Sequence, residues 1–310
     1  MDQAFVFPGQ GSQAVGMGRD LAAAFASARQ TFEEVDEALG QHLSRTIFEG
    51  PDDVLTLTEN AQPALMAVSM AVVRVLQREG GLDLGGSARF VAGHSLGEYS
   101  ALSAIGSISL ADAATLLKTR GRAMQEAAPV GVGAMAAVLG LDFDEVAEIA
   151  ATAAEGDVCT AANDNAPGQV VVSGNAEAVA RAVELAKQRG ARRSVMLPVT
   201  VPSHCPLMAP AAEVMADALA SVDIAVPPVP VVANVKAEAI SAPEDIRAAL
   251  VAQVTGVVRW RESVLWMRDH GVGRLVELGA GKVLSGLARR IDKDLEALSL
   301  SGPDDIEAFL

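Results

Sequence analysis

The sequence predicts an α/β protein in which a small α+β unit is inserted into a larger unit built on a parallel sheet. Half of the 310 residues are hydrophobic and only 4% are aromatic, a composition typical of α/β proteins. A short apolar run, a glycine-rich turn and a helix-compatible segment follow one another at residues 88–104, which indicates a strand–turn–helix unit. Residues 134–199 then alternate strand and helix patterns in a different order.

Apolar periodicity and glycine or proline breaks predict the elements of the larger unit. Short apolar runs predict strands at residues 4–7, 88–92, 229–234 and 274–278. Apolar faces at helical spacing predict helices at residues 19–39, 52–57, 62–78, 110–127, 207–220, 243–253, 263–270 and 283–291. Asp112 marks the start of the helix at 110–127, and Pro129 with Gly131 closes it.

The inserted unit has a strand and helix order of its own. Strands are predicted at residues 134–139, 158–162, 169–173 and 194–199, and helices at 144–154 and 176–189. This β-α-β-β-α-β order is the ferredoxin-like arrangement. Glycines at 131 and 133 precede it, and prolines at 198 and 202 follow it. We therefore predict an inserted ferredoxin-like subdomain at residues 131–199 and a large α/β domain at residues 1–130 and 200–310.

Charge and composition exclude several classes of function. The formal net charge is −15 and no basic run offsets it, which argues against a nucleic-acid binder and disfavours anionic membranes. No stretch approaches the ~20 apolar residues of a membrane helix, and the first residues lack a basic region typical of a signal peptide, so the expected location is the cytoplasm. Cys159 and Cys205 match no metal-binding spacing, and we expect both to be buried and free, with no metal site.

Residues 93–97 fit the motif G-x-S-x-G in the strand–turn–helix context of a nucleophile elbow. The glycines permit a turn so sharp that Ser95 stands in a strained conformation with its hydroxyl clear of the sheet. The helix that follows directs free N–H groups toward the position where an oxyanion would form. The motif therefore predicts a nucleophilic serine, and the alternative is an ordinary glycine-rich turn.

The glycine-rich loop after the first strand is a second candidate binding element. Residues 9–14 match the dinucleotide-binding pattern G-x-G-x-x-[GA], but no acidic residue ends a second strand about 20 residues later. A P-loop is excluded because no Gly-Lys-Ser/Thr follows. The loop can still offer backbone N–H groups and the Gln10 side chain to an anion.

A nucleophilic serine needs a base, most often a histidine, and the chain has four. His42 is predicted on a helical surface, His270 ends a helix, and His94 adjoins the serine and points elsewhere. His204 remains, on a proline-bracketed turn downstream of the serine, as the base is in α/β-hydrolases. A structural histidine and a nucleophilic Cys205 are the alternatives. Acidic residues are too numerous for a third triad member to be identified.

Five motifs in order resemble the malonyl-CoA:acyl carrier protein transacylase family, the loading enzymes of bacterial fatty-acid synthesis. They are PGQGSQ at residues 8–13, GHSLGEYS at 93–100, RG at 120–121, PSHC at 202–205 and GAGKVL at 279–284. The resemblance spans nearly the whole chain and implies an α/β-hydrolase-like core with a parallel sheet and a ferredoxin-like insertion. Ala280 departs from the family pattern, which often has proline there. The site residues that it implies are the nucleophile Ser95, the base His204, the carboxylate-binding Arg120, the oxyanion-hole amides of Gln10 and Leu96, and Gln253, whose main-chain carbonyl orients the histidine.

The resemblance also implies the reaction and the partners. A malonyl group would pass from malonyl-CoA to the phosphopantetheine thiol of an acyl carrier protein through a malonyl-serine. The coenzyme A thioester is a substrate, no cofactor is expected, and we expect a free-standing monomer. Carrier proteins of this type are acidic, so docking should need a local basic patch, for which the candidates are Lys187, Arg189, Arg192 and Arg193, and Lys282, Arg289 and Arg290.

Two other functions share some of these features. A serine hydrolase such as a thioesterase would use the same elbow with water as the acceptor, but a hydrolase of neutral acyl groups gains nothing from a buried Arg120. A binding module for carrier proteins or acyl-CoA would not need a serine on a strained turn together with a histidine. Both remain alternatives to acyl transfer.

Overall fold

Two separate β-sheets organise the fold, one largely parallel and one antiparallel. The computed structural model describes residues 2–199 and 201–310. The strands are β1 (Asp2–Phe7), β2 (Phe90–Gly93), β3 (Gly133–Leu139), β4 (Cys159–Ala166), β5 (Gln169–Asn175), β6 (Arg193–Met196), β7 (Val231–Ala233), β8 (Glu238–Ile240), β9 (Val272–Leu278) and β10 (Glu296–Leu300). The larger sheet has the order β10-β9-β1-β2-β7-β8, in which β8 is antiparallel to β7 and the other neighbours are parallel. The smaller sheet has the order β4-β5-β3-β6, and its neighbours are antiparallel.

Helices cover both faces of the parallel sheet and one face of the antiparallel sheet. They are α1 (Arg19–Ala24), α2 (Ala26–Leu39), α3 (Leu43–Glu49), α4 (Asp52–Thr56), α5 (Thr58–Arg78), α6 (Leu84–Ser87), α7 (Gly97–Ala104), α8 (Leu110–Ala127), α9 (Phe143–Ala154), α10 (Ala176–Gln188), α11 (Ala209–Ala220), α12 (Pro243–Gln253), α13 (Trp260–Asp269), α14 (Val283–Ile291) and α15 (Pro303–Phe309). A 3₁₀ turn at Pro206–Met208 leads into α11. The prediction of a mixed α/β fold is confirmed, with a parallel sheet and a separate antiparallel sheet.

The central strands of the parallel sheet are buried on both sides. Phe5 and Phe7 of β1 face a core that includes α5 and α8, whereas Val6 of the same strand and Ala92 of β2 face a core that includes α13 and α14. Successive side chains of a strand point to opposite faces, so an unbroken apolar run is what a doubly covered parallel strand requires. The carboxyl end of β2 lies in the middle of this sheet, and there the G-x-S-x-G motif begins.

The two faces of the antiparallel sheet pack against different surroundings. Ala136 of β3 belongs to a small core shared with α9 and α10. Met135 of the same strand and Val171 of β5 form an apolar cluster on the opposite face, against which Leu197 packs. This second face points toward Ser95, because the same three side chains line a cavity with it.

Strand β4 of the antiparallel sheet also bonds to the segment that leads into α13. The Asp164 N–H donates to the carbonyl of Val258 at 2.9 Å, and the Val258 N–H donates to the carbonyl of Ala162 at 2.9 Å. The Asp164 carboxylate, 2% exposed, accepts Arg261 of α13, with Nη2 and Oδ2 2.8 Å apart. These contacts hold β4 against the start of α13, one of the helices that pack on the parallel sheet.

Several elements differ from the sequence-based prediction. The predicted helix at 19–39 is two helices, α1 and α2, because Phe25 between them is extended (φ −124°, ψ 127°). Helix α5 begins at Thr58, four residues before the predicted start, and contains Pro63 as its sixth residue, just past the first turn in which a proline is tolerated. Elements α3, α6, β8, β10 and α15 were not predicted, and residues 85–87 of α6 were expected to be a loop; each element is between three and seven residues long and has little periodicity to detect.

Two further features are the length of the helices and the state of the two cysteines. Within residues 2–199 and 201–310, no helix combines the length and the apolar character needed to cross a membrane. Cys159 and Cys205 are buried and free, as predicted.

Candidate active site

Ser95 lies at the turn between β2 and α7, in a conformation that is rare for a residue with a side chain. Its φ is +52°, in the left-handed region. Such a conformation costs on the order of 1–3 kcal/mol and persists only where the surroundings impose it. Here the His94 N–H donates to the carbonyl of Phe7 at 3.0 Å, and the Gly97 N–H donates to the carbonyl of His94 at 2.9 Å. The strain at Ser95 thus agrees with the predicted nucleophile elbow.

The two glycines of the motif are required by close packing. A Cβ at Gly93 would lie 1.9 Å from the carbonyl carbon of Gly97, and a Cβ at Gly97 would lie 2.2 Å from the carbonyl oxygen of Phe7. Neither glycine has the positive φ that Ser95 has. The sequence analysis explained the two glycines by the sharpness of the turn. The structure shows instead that neither position has space for a side chain.

Asn234, directly after β7, holds the elbow from the neighbouring strand. Its Oδ1 accepts the N–H of Ser95 at 2.8 Å, and its Nδ2 donates to the carbonyl of Gly93 at 2.7 Å. Asn234 is fully buried. Sequence reasoning missed this residue, although its place after a strand of the parallel sheet was a usable signal, because functional groups gather at the carboxyl ends of such strands.

The structure brings Ser95, His204 and Gln253 together. Ser95 Oγ and His204 Nε2 are 2.8 Å apart, and His204 Nδ1 is 2.8 Å from the main-chain oxygen of Gln253. A carbonyl oxygen only accepts, so Nδ1 carries the proton and Nε2 presents its lone pair to the serine hydroxyl. His204 also has a left-handed conformation, with φ +60°. This arrangement can withdraw a proton from Ser95.

The environment of His204 keeps its imidazole neutral. The side chain is buried, and burial lowers the pKa of His204 to about 3, with the positive charge of Arg120 acting in the same direction. The hydrogen bond to Gln253 opposes this shift. A neutral imidazole is the form that can accept a proton, and the lowered pKa favours that form.

Arg120 projects from the middle of α8 into the same site. It is 1% exposed, and its Nη2 lies 3.2 Å from Ser95 Oγ and 3.0 Å from Oε1 of Gln253. Its Nη1 donates to Oε1 of Gln62 at 2.7 Å. Among the residues that the structure describes, no carboxylate lies within 4.0 Å of this guanidinium, and its Nε has no hydrogen-bond partner. Arg120 is therefore a buried cation without a direct anionic partner. Burial lowers the pKa of Arg120.

Close packing of two helices supports this arginine. A Cβ at Gly121 would lie 2.5 Å from the Cα of Glu59, so the glycine lets α8 approach the start of α5. That approach brings Gln62 of α5 to the guanidinium of Arg120. The Arg-Gly pair noted in the sequence therefore consists of one residue that faces the site and one that makes room for it.

A cavity of about 140 Å³ adjoins these side chains and lies between the two sheets. Gln10 and Leu96 both line it. Within residues 2–199 and 201–310, no acceptor is paired with either backbone N–H, and the Gln10 side chain is turned to Thr58 Oγ1 at 3.3 Å. The cavity is lined by Gln10, His94, Ser95, Leu96, Arg120, Met135, Asn163, Asn165, Val171, Leu197, Val199, Val201, Ser203 and His204.

The other three histidines have different surroundings. The side chain of His42 is 93% exposed. His270 follows the end of α13 and stacks on Trp266, with ring centroids 3.7 Å apart. His94 lines the cavity but bonds to Asn165, with Nε2 and Oδ1 2.8 Å apart, and not to Ser95. In the described part of the chain, no cluster of His, Cys, Asp or Glu side chains could hold a metal ion.

Comparison with known proteins places these features in a family. Residues 4–292 match the family model for the acyl transferase domain. The chain is 48% identical over 307 residues to the malonyl CoA-acyl carrier protein transacylase of Escherichia coli K12, covering 99% of this chain and 98% of that protein. It is 45% identical to the protein of the same name from Bacillus subtilis, covering 98% of this chain and 95% of that protein.

Solved structures of proteins with similar names have nearly the same fold as this chain. An acyl-carrier-protein-S-malonyltransferase from Bartonella henselae is 57% identical, with a TM-score of 0.97 over 100% of this chain and 98% of that one. A malonyl-transacylase in complex with a type II PKS acyl-carrier protein is 44% identical, with a TM-score of 0.96 over 99% of this chain and 98% of that one.

Proposed function

The chain belongs to the acyl transferase family, and on that premise we propose that it transfers a malonyl group from malonyl-CoA to the phosphopantetheine thiol of an acyl carrier protein. This reaction supplies malonyl units for fatty-acid synthesis. Malonyl-CoA is the donor substrate, and the carrier protein is the partner, as in the neighbour solved with its carrier. No cofactor is needed, because the thioester itself is the activated group.

In the first half-reaction, Ser95 attacks the thioester carbonyl while His204 Nε2 takes its proton. The 2.8 Å separation of these atoms supports this step. The N–H groups of Gln10 and Leu96 stabilise the oxyanion. The intermediate then collapses to malonyl-serine, and the departing coenzyme A sulfur takes the proton from His204.

In the second half-reaction, the thiol of the carrier arm gives its proton to His204 and attacks the malonyl-serine. Collapse of this intermediate returns the proton to Ser95 Oγ and releases malonyl-carrier protein. His204 therefore acts once as base and once as acid in each half-reaction, and it stays oriented throughout by the Gln253 carbonyl, 2.8 Å from Nδ1. Proton and acyl group are both balanced over the cycle.

The observation that carries the assignment of an anionic acyl group is the unpaired guanidinium of Arg120. A buried cation is costly unless it has an anionic partner, and this one lies 3.2 Å from Ser95 Oγ with no carboxylate within 4.0 Å of it in the described residues. A malonyl carboxylate can accept two parallel charge-assisted bonds from it. A neutral acyl group would leave the cation unpaired.

The test is intact mass spectrometry after mixing the protein with malonyl-CoA. We expect one malonyl adduct that maps to the elbow peptide and disappears when holo carrier protein is added, with a matching gain of mass on the carrier. Ser95→Ala should give no adduct, whereas Ser12→Ala, a nearby serine that does not line the cavity, should load normally. An adduct that persists in Ser95→Ala refutes the serine mechanism. Loss of the adduct to water at the same rate with and without carrier would favour a hydrolase.

We also propose the finer fold class and the domain division. The parallel sheet with Ser95 at the carboxyl end of a central strand supports an α/β-hydrolase-like core at residues 1–130 and 200–310. The order β3-α9-β4-β5-α10-β6, with sheet order β4-β5-β3-β6, supports a ferredoxin-like insertion at residues 131–199. The limits at residues 1 and 200 lie outside the described residues. Expression of residues 131–199 alone, followed by circular dichroism, tests whether the insertion folds by itself.

We propose that the protein acts as a monomer. All the residues placed at the site come from one chain, so no second copy is needed to complete it. Sedimentation velocity at working concentration tests this, and a stable dimer would contradict it.

A further inference from the structure

Glu98, in the first turn of α7, is a buried carboxylate that the acyl-transfer steps above do not use. It is 1% exposed, and its Oε2 accepts two hydrogen bonds, from the Asn234 N–H at 3.1 Å and from Nε2 of Gln253 at 2.8 Å. Burial raises the pKa of Glu98 to about 7, although these two bonds and the charge of Arg120 oppose the shift. Burying a carboxylate costs free energy unless hydrogen bonds or a nearby cation compensate for its lost hydration.

The side-chain amide of Gln253 lies between two kinds of groups. On one side its Nε2 faces acceptors: Glu98 Oε2 at 2.8 Å, the Ser95 carbonyl at 3.0 Å and Asn234 Oδ1 at 3.3 Å. On the other side its Oε1 accepts Nη2 of Arg120 at 3.0 Å, and a guanidinium has donors only. The opposite orientation would set the amide oxygen against the carboxylate and the amide nitrogen against the guanidinium.

We infer that Glu98 is a positioning residue, which fixes the orientation of the Gln253 amide and through it the guanidinium of Arg120. The inference rests on the proposed function, because Arg120 matters only if the acyl group is anionic. Above its pKa of about 7, Glu98 also carries a negative charge that faces Arg120 through one intervening amide. Gln253 thereby organises both halves of the site, since its main-chain oxygen orients His204 and its side-chain oxygen holds Arg120.

The test is Glu98→Gln. An amide at position 98 can present either its oxygen or its nitrogen, so it no longer enforces one orientation of Gln253, and it has no charge. We expect the ratio of kcat/KM for malonyl-CoA to kcat/KM for acetyl-CoA, measured as formation of the acyl-enzyme, to fall at least tenfold. Most of the loss should lie in KM for malonyl-CoA, with acetyl loading changed less than threefold.

Glu277→Gln is the matched control. Glu277 is also fully buried and accepts the Leu284 and Ser285 N–H groups at 3.1 and 2.8 Å, but it does not contact Gln253. This variant should leave the ratio within twofold of wild type even if it lowers stability. Equal losses for both thioesters in Glu98→Gln, or an unchanged ratio, would overturn the inference and show that Glu98 only supports the fold.

Two further variants keep the inference testable if Glu98→Gln does not fold. Gln253→Met retains the main-chain oxygen that orients His204 but removes the amide, so the ratio should fall as in Glu98→Gln. In an Arg120→Ala background, Glu98→Gln should not lower the ratio further, and an additional drop would contradict a relay through the guanidinium. A wild-type protein that forms no malonyl adduct refutes the proposed function. Normal wild-type loading with an unaffected ratio in the variants refutes only the role of Glu98.

Discussion

Replacing Arg120 with alanine removes a guanidinium that has three donor contacts inside the site. The side chain bonds to Gln62 at 2.7 Å, to Gln253 at 3.0 Å and to Ser95 Oγ at 3.2 Å, and it is 1% exposed. A malonyl carboxylate at this position would be paired with a charge that solvent hardly screens. The substitution therefore deletes one partner of a buried ion pair and leaves a carboxylate without its cation.

The size of the effect follows from that burial. Truncating one partner of a buried, hydrogen-bonded charge pair costs about 2–5 kcal/mol. At about 1.4 kcal/mol per tenfold, this corresponds to a loss of roughly 30- to 4000-fold in kcat/KM for malonyl-CoA. Acetyl-CoA lacks the carboxylate, so its kcat/KM should be spared or raised, because the unpaired buried cation is gone.

The assay is the initial rate of acyl-enzyme formation with each thioester in wild type and variant. Arg122→Ala is the matched control: Arg122 lies on the same helix but is 63% exposed and pairs with Glu126 on the surface, so both rates should stay near wild type. Arg120→Lys keeps the charge but loses the planar fork, and should recover only part of the malonyl rate. Equal losses for malonyl and acetyl in Arg120→Ala would mean that the arginine supports the fold, and the reasoning from charge would fail.

Two more predictions follow from the site and its rim. Because the pKa of His204 is lowered to about 3 from 6.5, acetyl loading, which should depend little on the charge of Glu98, should be nearly constant from pH 7 to pH 5 in a stopped-flow series, whereas a base with the ordinary pKa would lose about 25-fold. A fall of that size contradicts the neutral base. Lys282 precedes α14 and lies next to Gly281. An added Cβ at Gly281 would lie 3.6 Å from Ser12 in the Gln10 loop, which places Lys282 near the rim of the site. Lys282→Glu should therefore raise the KM for the carrier severalfold at low salt and leave malonyl-CoA loading unchanged. Arg192→Glu, in the other basic cluster, is the comparison, and identical carrier kinetics in wild type and both variants would exclude both clusters.

Site residues that a short sequence motif or the choice among a few residues of one type can identify were found from the sequence. Ser95 was found because its motif lies between a strand and a helix, and His204 because the other histidines were poor candidates; the structure sets the two side chains 2.8 Å apart across 109 positions. Arg120 and Gln253 came only from the family resemblance, since nothing in a helix pattern shows which arginine faces inward or which carbonyl is free to accept.

Glu98, Asn234 and Gln62 were missed for a different reason. Each acts through a partner from another element: Glu98 with Gln253, Asn234 with the Ser95 amide, and Gln62 with Arg120. Such pairings depend on how strands and helices are placed relative to one another, which residue types and spacing do not encode. The short elements β8 and β10 were missed because a strand of three or five residues offers too few positions for a period to be seen.

The main-chain oxygen that orients His204 has a consequence for how the enzyme tolerates mutation. In triads with an aspartate or glutamate, one base change can delete the orienting group, whereas a peptide carbonyl is present whatever side chain occupies position 253. Drift at this position can therefore alter acyl selectivity, through the amide that holds Arg120, while the proton-transfer pair keeps its geometry. On the proposed function, the main chain of residue 253 serves proton transfer and its side chain serves acyl selectivity, so we expect single substitutions there to change the acyl specificity without abolishing catalysis.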